Sequence, residues 1–110
     1  MKHLKVPKFE PVDEAERTLL AIEDLSHGIA HDEEYANAPE KCDLCGVSLE
    51  DRRFMVDGNT EPGGCLWACM CAKCALRKGE GIGWGKGQLY TQLEPGRWLM
   101  TAGFPPGEGE

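Results

Sequence analysis

Two CxxC pairs constrain this chain more than any other feature in it. Cys42 and Cys45 lie in CDLCG, and Cys71 and Cys74 lie in CAKC. Two intervening residues let a tight turn aim both sulfurs at one ion, and Gly46 relieves the backbone after the first pair. The 25 residues from 46 to 70 suffice for a hairpin that brings a helix start opposite the first pair. The spacing therefore predicts one closed tetrahedral site of four thiolates, and Zn2+ is the ion that suits it. If Cys71 opens a helix, its sulfur and that of Cys74 lie over free backbone N–H groups at the positive end of the helix dipole. Lys73, Arg77 and Lys78 add positive charge nearby, and Gly79 is a natural stop.

A chain of this kind needs a staple. At 110 residues with 14 glycines it would bury about 65% of its unfolded surface at best, against an ordering cost of about 1–2 kcal/mol per residue. Six cysteines can supply the staple as disulfides or as metal ligands. The opening MKHLKVPKFEPVDEAER has no apolar run of signal-peptide length, so the expected compartment is the cytoplasm, where paired CxxC motifs bind metal more often than they oxidise. Neither pair has the context of a redox CxxC, and no apolar run approaches the roughly 20 residues of a membrane span.

Upstream of the cysteines the chain is acidic. Residues 1–41 hold ten acids against five bases, and the whole chain carries a formal charge of −7, which disfavours non-specific attraction to nucleic acid or anionic lipid. Residues 1–12 have no helical period and read as an extended arm. Asp13 is a candidate N-cap, with Glu16 at capping-box spacing. Beyond it Ala15, Leu19, Ile22 and Leu25 recur at helical spacing opposite Glu16, Arg17 and Glu23, which predicts an amphipathic helix. Its apolar stripe either packs on its own protein or binds a partner. Residues 26–41 read as a connector.

From Cys42 the order is knuckle, hairpin and helix: CDLCG, RRFMVDG, the turn-rich NTEPGG, LWACM, then CAKCALRKG. The predicted fold class is thus a small α+β zinc-binding domain, treble-clef-like, preceded by the amphipathic helix and followed by a second hairpin. That hairpin joins QLYTQL to RWLMTAG across Pro95-Gly96, whose order suits a type II turn. The expected organisation is an acidic arm, helix and connector over 1–41, the zinc-binding domain over 42–104, and a disordered tail over 105–110.

Glycines at every second position from Gly79 to Gly87 read as an extended connector with Trp84 packed on the domain, or as a place where a partner's backbone comes close. Every GxGxxG frame in that stretch fails, at Trp84, Lys86, Gln88 or Tyr90, and Lys86 is followed by Gly87 rather than Ser or Thr. Strand alternation places Cys69 on the same side as Cys71, where its simplest role is that of a small buried hydrophobe. A second metal site built from Cys65, Cys69, His27 and His31 is the sharper alternative, weakened by Gly28 between the histidines. A metal-dependent nuclease would need a histidine base near the hairpin and further ligands on the helix. No His or Asn follows Cys74, and four thiolates close a zinc to substrate, so no enzymatic activity is expected.

Taken together, CDLCG, the Asp57-Gly58 turn, WACMCAKC, GIGWGKGQLY and RWLMTAGF resemble a group of small zinc-binding proteins encoded by phages and mobile elements. The likeness spans about Cys42 to Phe104 and implies Cys42, Cys45, Cys71 and Cys74 as the metal ligands. It implies nothing about residues 1–41, and Cys65 and Cys69 stand outside its pattern.

The function expected from these readings is a zinc-stabilised adaptor that binds a protein through its acidic N-terminal helix region and the aromatics Trp84, Tyr90 and Trp98, which compete with a role for those rings as core. The rival is a nucleic-acid-binding finger with Arg52, Arg53, Lys73, Arg77, Lys78 and Lys86 on phosphates, although Glu50, Asp51 and Glu80 are interleaved with them.

Overall fold

The computed structural model describes residues 9–25, 35, 38–61 and 65–103, and the backbone of 2–3 and 29–30. Within it Asp13 caps the first helix, its Oδ1 accepting the N–H of Glu16 at 2.9 Å. Helix α1 (Glu14–Leu25) follows. The reciprocal half of the capping box is displaced by one residue, because Glu16 Oε1 accepts from Val12 N–H at 3.0 Å rather than from Asp13.

The buried face of α1 keeps Leu19 of its apolar stripe but is shifted toward two acids. Glu16, Leu19 and Glu23 are buried, Ala15 and Ile22 are only half-buried, and Leu25 is 77% exposed. The reason is hydrogen bonding. Glu16 Oε2 accepts the N–H of Phe54 at 2.8 Å and its Oε1 that of Arg53 at 3.3 Å, where the chain enters the sheet. Glu23 Oε1 pairs with the Arg53 guanidinium at 2.6 Å, and its Oε2 accepts from Thr91 Oγ1, which in turn lies 2.9 Å from Thr101 Oγ1. Two carboxylates that periodicity alone turns to water thus bind α1 to the strand that starts at Phe54 and to the one carrying Thr91, whose hydroxyl extends the contact to the strand of Thr101.

Those strands belong to one four-stranded antiparallel sheet, in the order Trp67–Met70, Phe54–Asn59, Gly87–Glu94, Arg97–Ala102. Strand β3 (Phe54–Asn59) pairs with β4 (Trp67–Met70), as the first predicted hairpin requires, with Val56 opposite Met70 and Asp57 opposite Cys69. The second hairpin forms from β5 (Gly87–Glu94) and β6 (Arg97–Ala102), and Gly96 at its turn has φ 81°, as position three of a type II turn demands. Spacing left open how the two hairpins meet. Strand β5 lies against the other side of β3, Met55 opposite Tyr90, so both hairpins share one sheet and one core. Between β4 and β5 comes the short helix α2 (Ala72–Lys78). Two further short strands, β1 (Lys2–His3) and β2 (Ile29–Ala30), pair antiparallel inside the segments read as arm and connector.

Phe54, Met55, Val56, Met70 and Leu89 form the buried centre, with Leu19 of α1 against it. Leu19 and Ile22 of α1 also meet Ala75 and Leu76 of α2 around a small apolar cleft closed by Ile82. Tyr90 and Trp98 are core residues. Trp84, expected to pack, is 57% exposed.

The glycine stretch is not an extended connector. Gly83 bridges to Gly87 across a turn, Gly81 and Gly85 take positive φ, and Gly79 and Gly87 stand where the backbone approaches itself closely. Gly87 sits opposite Gly58 in the β3–β5 ladder, and a Cβ there would lie 2.7 Å from the Gly81 carbonyl oxygen. Gly87→Ala is accordingly expected to destabilise the protein by about 1–3 kcal/mol, the usual range for overpacking, read as an earlier urea midpoint at unchanged slope. A midpoint equal to that of the parent protein would show that this backbone contact is loose.

Candidate metal centre

The first pair of cysteines sits on a knuckle built by backbone hydrogen bonds. Cys42 N–H donates to Val47 O and Gly46 N–H to Cys42 O, both at 2.9 Å, and Gly46 takes φ +77°, a conformation that favours glycine. The Leu44 N–H points at Cys42 Sγ, 3.4 Å away. Asp43 then fastens the knuckle to β4: its N–H donates to Cys69 O at 2.9 Å and its Oδ2 accepts the Cys69 N–H at 2.8 Å. That second bond is a supporting contact the spacing did not reveal.

The second pair sits at the start of α2. Cys71 is the N-cap residue, in extended backbone conformation with no side-chain capping bond, and Cys74 lies in the first turn. One sulfur atom from each of Cys42, Cys45, Cys71 and Cys74 lies within 4.8 Å of every other. Cys45 Sγ and Cys71 Sγ are 3.7 Å apart. A disulfide requires about 2.05 Å, whereas thiolates about 2.3 Å from a tetrahedral zinc are separated by about 3.8 Å. The spacing fits an ion rather than a bond. Cys42 and Cys71 are buried, Cys74 half-buried and Cys45 exposed, so the group is rooted in the core and open to solvent on one side.

Electrostatics around the sulfurs favour a cation. Burial pushes the Cys42 thiol up, but N–H groups of Cys71, Cys45 and Leu44 outweigh it and bring the thiol down to about 7. Burial raises Cys71, aided by the neighbouring Cys42 and Cys45, and raises Cys74, aided by all three other thiols. Four sulfurs this close cannot all ionise without positive charge between them, and a bound divalent ion supplies it.

The other cysteines do not join this group. Cys69 is buried with its Sγ 3.0 Å from the Tyr35 hydroxyl, and burial pushes its thiol up to about 11, so it stays a neutral thiol. Cys65 is exposed. His27 and His31, the remaining members of the alternative second site, lie outside the described residues. Among the described residues the four cysteines are the one candidate metal group.

Of the basic residues considered for phosphate contact, Arg52 is paired with Asp13 at 3.0 Å, and Arg53 is held by Glu23. Lys73, Arg77, Lys78 and Lys86 are exposed. Among the described residues no helix is long and apolar enough to cross a membrane.

Fold and site together define a small α+β protein with a candidate four-cysteine metal group on a knuckle and a helix start. Compared with known proteins, the chain matches no family model, no curated protein and no solved structure.

Proposed function

We propose that this protein is a zinc-stabilised, non-catalytic protein-interaction module of the treble-clef kind, working in the cytoplasm. The observation that carries the reading is the convergence of four sulfurs from a knuckle and a helix N-terminus to within 4.8 Å of one another. An all-thiolate donor set suits zinc and leaves no open coordination position for a substrate, which argues for scaffolding rather than chemistry. Leu66, Trp67 and Trp84 are exposed and offer a partner apolar side chains. Likeness to small zinc proteins of phages and mobile elements is part of the same reading and rests on the motifs from Cys42 to Phe104.

A nucleic-acid-binding role is the second reading, favoured by the exposed Lys73, Arg77 and Lys78 on α2. The loss of Arg52 and Arg53 to internal ion pairs weakens it. Elemental analysis of the purified protein is expected to return one zinc per chain. Two equivalents, with the second lost on replacing His27 and His31, would establish a further site. Affinity capture with and without nuclease separates the two roles: a partner retained after nuclease supports the adaptor, and one lost with it supports the finger.

A further inference from the structure

Away from the metal centre, a surface cavity of about 510 Å³ opens between the start of the chain, the segment before the knuckle and the β5–β6 turn. Its volume lies in the range of ligand pockets. Phe9, Tyr35, Pro95 and Trp98 line it together with Glu40 and Glu50. No lining residue among those described is basic.

The polar groups in this cavity divide into two sets. Gln92 is fully engaged: its Nε2 donates to the carbonyls of Leu49, Glu50 and Arg52, and its Oε1 accepts from Gly96 N–H. The Tyr35 hydroxyl is taken by Cys69 Sγ. Glu40 and Glu50 are exposed, and their carboxylates have no hydrogen bond or ion pair among the described residues. Among the described residues the lining therefore combines two unpaired acids with aromatic residues that are held in place. Phe9 is fixed by its carbonyl accepting from Arg53 Nη1 at 3.2 Å, and Tyr35 by its N–H donating to Trp98 O at 2.9 Å and its ring meeting Tyr90 edge-on.

We infer that this cavity is the recognition pocket for a guanidinium, an arginine side chain carried by a basic segment of a partner protein. The inference rests on the protein-interaction reading and names the chemistry of the partner. A planar cation with a donor fork stacks on aromatic rings and bridges two carboxylates, which an ammonium or a neutral side chain does less well. The net charge of −7 draws such a segment in from solution.

The test uses the whole zinc-loaded protein, a tri-arginine peptide blocked at both ends, and its citrulline counterpart, which keeps the shape and loses the charge. Titration followed by amide NMR is expected to give saturable shifts at Glu40, Glu50, Gly96 and Trp98 with the arginine peptide only. Glu40→Gln with Glu50→Gln should weaken binding about 10-fold or more, whereas Glu14→Gln with Asp24→Asn, the same change in net charge away from the cavity, should alter it by less than about 2-fold. Both pairs are exposed, so unchanged melting temperatures are expected. Equal binding of the citrulline peptide, equal weakening by both double variants, or shifts spread over the acidic surface would overturn the pocket. Capture from lysate on the same proteins keeps the broader reading separate. A partner held equally by the parent and the Glu40/Glu50 variant sinks the pocket alone, and no nuclease-resistant partner for either sinks the adaptor.

Discussion

Cys42→Ser and Cys74→Ser are each expected to abolish metal binding and to unfold the sheet with it. Structural zinc contributes about 10–16 kcal/mol in small metal-folded units, which matches or exceeds the whole stability of a typical domain at about 5–15 kcal/mol. Here the loss would spread from both ends of the site. Cys42 is buried on a knuckle that Asp43 fastens to β4, and Cys71 and Cys74 begin the helix that packs on α1. Without the ion the three remaining thiols would be left crowded within 4.8 Å. Cys65→Ser is the control, since its side chain is exposed and outside the group. Cys69→Ser falls between, removing the Tyr35 contact while retaining the zinc. Zinc content and NMR dispersion on the four variants decide the assignment. Equal zinc loss in all four would mean that the sulfurs do not divide as their positions indicate.

The convergence of the four cysteines was legible from spacing because a CxxC pair is a local device: two residues set the turn, and both sulfurs lie within four positions. Both hairpins were legible for the same reason, through alternation and through Pro95-Gly96. What local pattern does not hold is which hairpin lies beside which. The β3–β5 ladder is a long-range contact, and its trace in the sequence is the pair of glycines, Gly58 and Gly87, at a register position too tight for side chains to fit easily. Helix α1 was legible in its bounds and in Leu19, but not in the whole of its buried face. Its apolar residues form a helical stripe, yet the side chains that decide its orientation are Glu16 and Glu23, because the backbone N–H groups at Arg53 and Phe54 and the Arg53 guanidinium need acceptors. Periodicity scores a carboxylate as solvent-facing whatever stands opposite it. The buried acids were readable only with the sheet in place. Trp84 failed in the opposite sense: an aromatic in a glycine-rich stretch has no neighbouring side chains to bury it, and it stands in solvent.

Glu23→Ala is expected to destabilise the protein nearly as deeply as a marginal domain can bear, while leaving the zinc content at one. Glu23 and Arg53 have side chains only 4% and 12% exposed, and removing one partner of such a pair leaves a buried charge, at about 3–5 kcal/mol. Little compensation is at hand: Arg53 Nε is already without a partner, and Nη1 is committed to the Phe9 carbonyl. At about 4–8 °C per kcal/mol for a chain near this size, the melting temperature should fall by roughly 12 °C or more. Replacing both partners by methionine should recover much of the loss, since a packed apolar pair leaves no charge to compensate, although Thr91 forfeits its acceptor. Removing residues 1–25 should lower stability further, because it also takes Glu16 from the N–H groups of Arg53 and Phe54 and uncovers the core beside Leu19. Thermal melting and protein capture on the same three variants separate the roles of α1. If Glu23→Ala and the truncation melt with the parent protein and lose only the partner, the helix is an interface and its buried carboxylates are not what holds it. If they melt early and the refolded fraction still binds, α1 is part of the fold, and the partner must be met elsewhere on the surface.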